Sequence, residues 1–150
     1  MTTLFSQTPF QLYALCSGII VLSLYALGFW TAKLRFERQS VINHEDTKVN
    51  PGSHPVDVEH PDVQRVKRAH TNAIENAVPF FLIGFLYTQT DPGLTMTRIL
   101  FFTFLGFRIL HALFYLNAKQ PFRTLSFTVG AIVNIIMVVQ VLRFVFPLLF

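Results

Sequence analysis

Residues 10–32, FQLYALCSGIIVLSLYALGFWTA, form a run of twenty-three residues without a single charge. At about 1.5 Å of rise per residue, a helix over this run reaches about 34 Å, enough to cross a hydrocarbon core about 30 Å thick. The run predicts a first membrane span. A cleavable signal peptide needs a basic start and a small-residue cleavage site, whereas the first charge here is Lys33, so the segment is expected to stay in the mature protein. The whole 150-residue chain has the same character: 52% hydrophobic, 13% charged, seventeen Phe and a mean hydropathy of +0.48. Average soluble domains carry about a quarter charged residues. This composition excludes intrinsic disorder, and the apolar excess is more than one soluble core of this length could hide.

Working outward, residues 33–68 hold seven of the twelve Lys/Arg and six of the eight acids. With Asn50-Pro51-Gly52-Ser53 and Pro55 they read as a long polar loop. Asp62 is expected to cap the helix that follows. Further spans are predicted over about 69–88, 96–117 and 125–146, separated by turns at Asp91-Pro92-Gly93 and at 119–123 with Pro121. The chain is therefore expected to be an all-α membrane four-helix bundle forming a single domain. Lys and Arg concentrate in the first and third connections, which places those on the cytoplasmic side and both termini opposite. The net charge of +4 belongs to that fringe. It does not point to nucleic acid, because the aromatics lie in apolar runs. One Cys excludes a disulfide framework, and His44, His54 and His60 lack a tight ligand spacing, so no metal site is expected.

A charge inside hydrocarbon costs about 2.5 to 3.5 kcal/mol on insertion scales, so polar residues within spans need partners or tasks. Arg68, Asn72, Glu75 and Pro79 fall within about 60° of one another on a helix, one narrow stripe. Arg108, His111 and Tyr115, at i, i+3 and i+7, define a second face. Glu75 lies about 10 Å and Arg108 about 15 Å from the cytoplasmic ends of their spans. Mutual neutralisation of Glu75 and Arg108 between packed helices is the bland account. Arg68, Asn72, His111 and Tyr115 near the same level are more polar groups than one pair needs, which points to a pocket for a small zwitterionic or anionic ligand. Asn134 and Gln140 read as interhelical hydrogen-bond glue, Gly84, Gly106 and Gly130 as points of close helix approach, and Pro79 as a local kink.

The segment 65–80, RVKRAHTNAIENAVPF, resembles the signature of the membrane-associated proteins in eicosanoid and glutathione metabolism (MAPEG). Arg68, Ala69, His70, Asn72, Glu75, Pro79 and Phe80 all stand at the family spacing. The likeness runs from Arg35 and Asn43-x-Glu45-Asp46, through Gly84-Phe85-Leu86-Tyr87, to Arg108-x-x-His111, Tyr115-Leu116 and Arg123. Glu75-Asn76 and Phe127-Thr128-Val129-Gly130 make the chain most similar to the microsomal glutathione transferase branch.

What the resemblance implies is a homotrimer of four-helix subunits, with glutathione as co-substrate near the cytoplasmic face and a lipophilic electrophile arriving from the bilayer. Arg35, Arg68, His70, Asn72, Arg108, His111 and Tyr115 would then hold carboxylates and peptide groups, Glu75 the ammonium, and Arg123 the thiolate, with Asp46 and Thr124 as accessory positions. The expected function is glutathione conjugation in detoxification, with accessory peroxidase activity toward lipid hydroperoxides. The membrane would be the endoplasmic reticulum in a eukaryote or the inner membrane in a bacterium. A prostaglandin E synthase-like isomerase is the alternative. Thr71 stands where those relatives have Arg and Phe127 where they have Tyr, while Thr124 keeps a hydroxyl where they have Ser. A non-catalytic membrane scaffold ranks third, because the glutathione-binding set is retained. The groove for the lipophilic partner is expected along spans one and four.

Overall fold

A computed structural model describes residues 4–150. Four helices dominate: α1 (Thr8–Glu37), α2 (Pro61–Thr88), α3 (Leu94–Leu116) and α4 (Phe122–Leu149). α1 packs on α2 and α3, α4 packs on the same two, and α2 meets α3 across the middle, so α1 and α4 are diagonal, with no close approach of their backbones. α1, α3 and α4 are long and apolar enough to cross a membrane. α2 is long enough, but Asn72, Glu75 and Asn76 dilute its apolar half, and it does not reach that standard. The outer surface is apolar: Leu22, Phe29, Leu82 and Leu142 are all exposed. In a bilayer such a surface meets acyl chains, with no penalty.

The polar loop is shorter than its charge pattern suggested. α1 continues to Glu37 and α2 already starts at Pro61, leaving 38–60 between them. Pro61 sits at the first helical position, where its missing N–H is no loss. The cap is His60 and not Asp62: His60 Nδ1 accepts from the backbone N–H of Asp62 at 3.3 Å, while the Asp62 carboxylate accepts from Arg38 Nη2 at 2.6 Å. The loop is folded. Ser40–Val41 (β1) and His54–Pro55 (β2) form a short parallel pair. Asn50-Pro51-Gly52-Ser53 closes a turn with Ser53 N–H donating to Asn50 O at 3.1 Å. Gly52 has φ +88°, the left-handed value a type II turn needs after proline.

Phe80 of α2 and Phe104 of α3 stack with centroids 4.3 Å apart and planes within 4°, and Phe101 meets Phe80 edge-on at 5.6 Å. Cys16 and Ile20 of α1 and Val133 and Met137 of α4 close this core, with Cys16 fully buried. Tyr13 donates from its hydroxyl to Phe81 O at 2.9 Å, tying α1 to α2. Gly84 makes that approach possible, since a Cβ there would come within 3.3 Å of the Tyr13 ring. Pro79 lies inside α2, which runs unbroken through it, on an exposed face.

Water expulsion contributes little inside a membrane, so this core holds by close packing. Phe80→Ala is expected to destabilise the detergent-solubilised protein by about 3 kcal/mol through the cavity it leaves. Leu22→Ala on the lipid face should cost less than about 1 kcal/mol. Thermal unfolding of the two variants side by side measures the difference.

Candidate functional site

With α2 starting at Pro61, residues 64, 67, 68, 71, 72 and 75 recur at i, i+3 or i+4 and share one face. That face is one wall of a polar cavity of about 440 Å³, lined by Gln64, Lys67, Arg68, Thr71, Asn72 and Glu75, together with Glu59 from the loop and Tyr115 from the end of α3. Arg68 donates from Nη1 to Gln64 Oε1 at 3.2 Å. Glu75 is exposed and forms no ion pair among the described residues.

Arg108 does not meet Glu75. It lies inside the bundle, 7% exposed, and donates from Nη2 to Asn72 Oδ1 at 3.0 Å. Its Nη1 has no hydrogen-bond partner among the described residues. Gly130 of α4 leaves the space it occupies, as a Cβ there would sit 3.3 Å from Arg108 Cδ. Arg108 also borders a second, apolar cavity of about 200 Å³ walled by Ile20, Leu27 and Trp30 of α1, Ala77 of α2 and Leu113 of α3. The backbones of α1 and α4 do not come close within one chain. The apolar space lies instead between α1, α2 and α3, and the Asn72–Arg108 bond joins its wall to that of the polar cavity.

Tyr115 links the cavity to α4. The Arg123 guanidinium carbon lies 4.7 Å from its ring centroid, a cation–π distance, and the His111 ring meets it edge-on at 5.8 Å. Turned so that its oxygen faces Arg123, the Gln120 amide accepts from Nη2 at 2.7 Å and Nε at 3.1 Å, and donates to Thr124 Oγ1 at 3.1 Å. His111 Nδ1 is 2.9 Å from Arg123 O. A carbonyl only accepts, so His111 donates there, pinning α3 to the first turn of α4.

Arg68, Asn72, Glu75 and Tyr115 therefore meet in the cavity, Arg108 joins through Asn72, and Arg123 and His111 join through Tyr115. The other expected residues do not line it. His70 rests against α1, its Cε1 3.8 Å from where a Gly28 Cβ would be. Asp46 accepts from Asn43 Nδ2 at 3.3 Å in the loop, and Thr124 is exposed beyond Arg123. Arg35 is one step removed. Its Nη2 and Nε meet Glu59 Oε1 at 2.5 and 2.7 Å, and Lys67 Nζ meets Glu59 Oε2 at 2.5 Å. Burial pushes the Glu59 carboxyl up, but hydrogen bonds from Lys67 and Arg35 and their charges outweigh it and hold the group below the usual carboxylate range. The sequence reading missed Glu59, Gln64 and Lys67. The periodicity of α2 would have found the last two had the helix been started at Pro61.

A model of the MAPEG family matches residues 13–143. The chain is 33% identical over 147 residues to human microsomal glutathione S-transferase 1, covering 95% of each chain. It is 29% identical over 138 residues to human prostaglandin E synthase, covering 91% of this chain and 90% of that one. To bovine prostaglandin E synthase it is 30% identical over 130 residues, 86% of this chain and 84% of the relative.

Because the Glu59 pKa is lower folded than unfolded, its contribution to stability is complete above the unfolded pKa and disappears as pH falls through the folded one. The unfolding midpoint of the wild-type protein should fall as pH drops below about 4.5, and that of Glu59→Gln should fall less steeply. Equal slopes in the two proteins would show that the pairing adds nothing.

Proposed function

Since the chain belongs to the MAPEG family, we propose that it is a membrane-bound glutathione transferase that conjugates hydrophobic electrophiles. The observation that carries this reading is the polar cavity whose free cation, free carboxylate and Tyr115 lead directly to Arg123. Glutathione brings two carboxylates, one ammonium and a thiol. Its polar groups match the partners present: Arg68 donates to a carboxylate, Glu75 accepts from the ammonium, and Asn72 meets a peptide group. A volume of about 440 Å³ suits a small ligand.

Arg123 is the group we assign to the sulfur. A free thiol titrates near about 8.5 and is mostly protonated at neutral pH. A guanidinium fixed beside the sulfur favours the thiolate, and each unit of lowering corresponds to about 1.4 kcal/mol. Gln120 and the Tyr115 face hold the guanidinium in place. The thiolate then attacks the electrophilic carbon, the carbon–sulfur bond forms and the leaving group departs with its electron pair. With a second glutathione to complete the disulfide, the same thiolate reduces a lipid hydroperoxide to its alcohol and water.

The assembly we propose is the homotrimer, with the 38–60 loop and the site on the cytoplasmic side of the endoplasmic reticulum or bacterial inner membrane. Support for an assembly comes from α2, whose Arg68 and Glu75 remain exposed in one chain, a costly arrangement at membrane depth unless a second copy covers them. A second reading, isomerisation of a lipid endoperoxide with glutathione, draws on the relatives named prostaglandin E synthase.

Purified protein in detergent is expected to conjugate glutathione to a chlorinated nitrobenzene. Arg123→Ala should lower that rate about tenfold at neutral pH and move the pH–rate profile up by about one unit. An unchanged rate and profile would remove Arg123 from the role of thiolate stabiliser. Endoperoxide turnover without conjugation would favour the isomerase.

A further inference from the structure

Two cations and two carboxylates line the polar cavity: Lys67, Arg68, Glu59 and Glu75. They are not equivalent. Arg68 is bonded to the neutral amide of Gln64, and Glu75 has no ion pair among the described residues. Lys67 is engaged by Glu59, whose other oxygen holds Arg35. The Glu59 side chain is 4% exposed, whereas those of Arg35 and Lys67 are 31% and 48% exposed. Two cations at or just behind the cavity wall thus share one carboxylate that the chain supplies itself.

A ligand with two carboxylates and one ammonium finds one free cation and one free carboxylate here. Arg68 and Glu75 satisfy its α-amino-acid end. Its second carboxylate meets cations already occupied. We propose, resting on the glutathione reading, that Glu59 is a resident competitor for this second carboxylate and determines the affinity and selectivity of the site. Binding at that end exchanges one carboxylate for another on the Lys67–Arg35 pair.

The placement of Glu59 suits such an exchange. It lies in the loop two residues before α2, outside any helix or strand. Its backbone is held separately, the Glu59 carbonyl accepting from Gln64 Nε2 at 2.7 Å. The side chain can therefore swing to water without unwinding α2. One carboxylate between two cations also leaves a net positive charge, which draws a second anion toward the same place.

The test titrates glutathione and its glycine ethyl ester, which lacks the second carboxylate, into detergent-solubilised wild type and Glu59→Gln. Glu59→Gln is expected to bind glutathione about tenfold more tightly, the scale of one charge-assisted contact, with the affinity for the ester unchanged. No tightening, or equal shifts for acid and ester, overturns the proposal. Amide hydrogen exchange on the wild type is a test that does not need the variant to fold: residues 54–60 should exchange faster with saturating glutathione than with the ester. Equal or slower exchange with glutathione overturns it as well. Failure of the wild type to bind either ligand sinks the glutathione reading and this inference together, whereas binding of both without a Glu59 effect sinks the inference alone.

Discussion

A guanidinium held inside a four-helix bundle without an acid beside it is the constraint around which the rest is arranged. Arg108 is buried, and within a bilayer a charge at such a position must be compensated from inside the protein. The compensation here is polar and not ionic. Asn72 accepts one bond, Gly130 puts no side chain where the arginine stem passes, and one nitrogen has no partner among the described residues. Each of these facts fixes a helix. α2 must present Asn72 inward, α4 must come close at a glycine, and α3 must bring Arg108 and His111 to the same side.

That arrangement explains why the least membrane-like helix is α2. A purely apolar α2 would suit lipid better but could not answer Arg108. The result is a helix with two purposes along its length. Its first half carries the polar wall through Glu75, and its second half supplies Phe80 to the aromatic core. The stack of Phe80 on Phe104 sits about one turn beyond the polar wall, so the rigid part of the bundle directly backs the part that carries charge.

Much of this was legible in the sequence, and for physical reasons. The run from Phe10 to Ala32 is long and free of charge, its counterparts hold only one or two charges each, and a solvent preference so strong leaves little choice of structure. The stripe of Arg68, Asn72 and Glu75 was legible because the helical period places them on one face whatever surrounds them. The partner of Arg108 was not. Periodicity gives a face but not the neighbour across it, and Glu75 was the obvious acid, whereas the bundle supplies Asn72. The loop was harder still. Its charges suggested solvent, yet Glu59 is buried between Arg35 and Lys67, residues 24 and 8 positions away. Pairings of that separation depend on how α1 and α2 are brought together. The Asn50-Pro51-Gly52-Ser53 turn lay at the opposite extreme, since proline and glycine chemistry is local.

The chain has one cysteine, and the bundle encloses it completely between α1 and the aromatic core. A catalyst that brings electrophiles to a sulfur nucleophile risks being alkylated by its own cargo, since any accessible thiol competes with the one delivered as co-substrate. Under the function proposed here, the packing of Cys16 gives immunity to that self-inflicted damage. The thiol offered to the electrophile would then be the one the protein releases with its product.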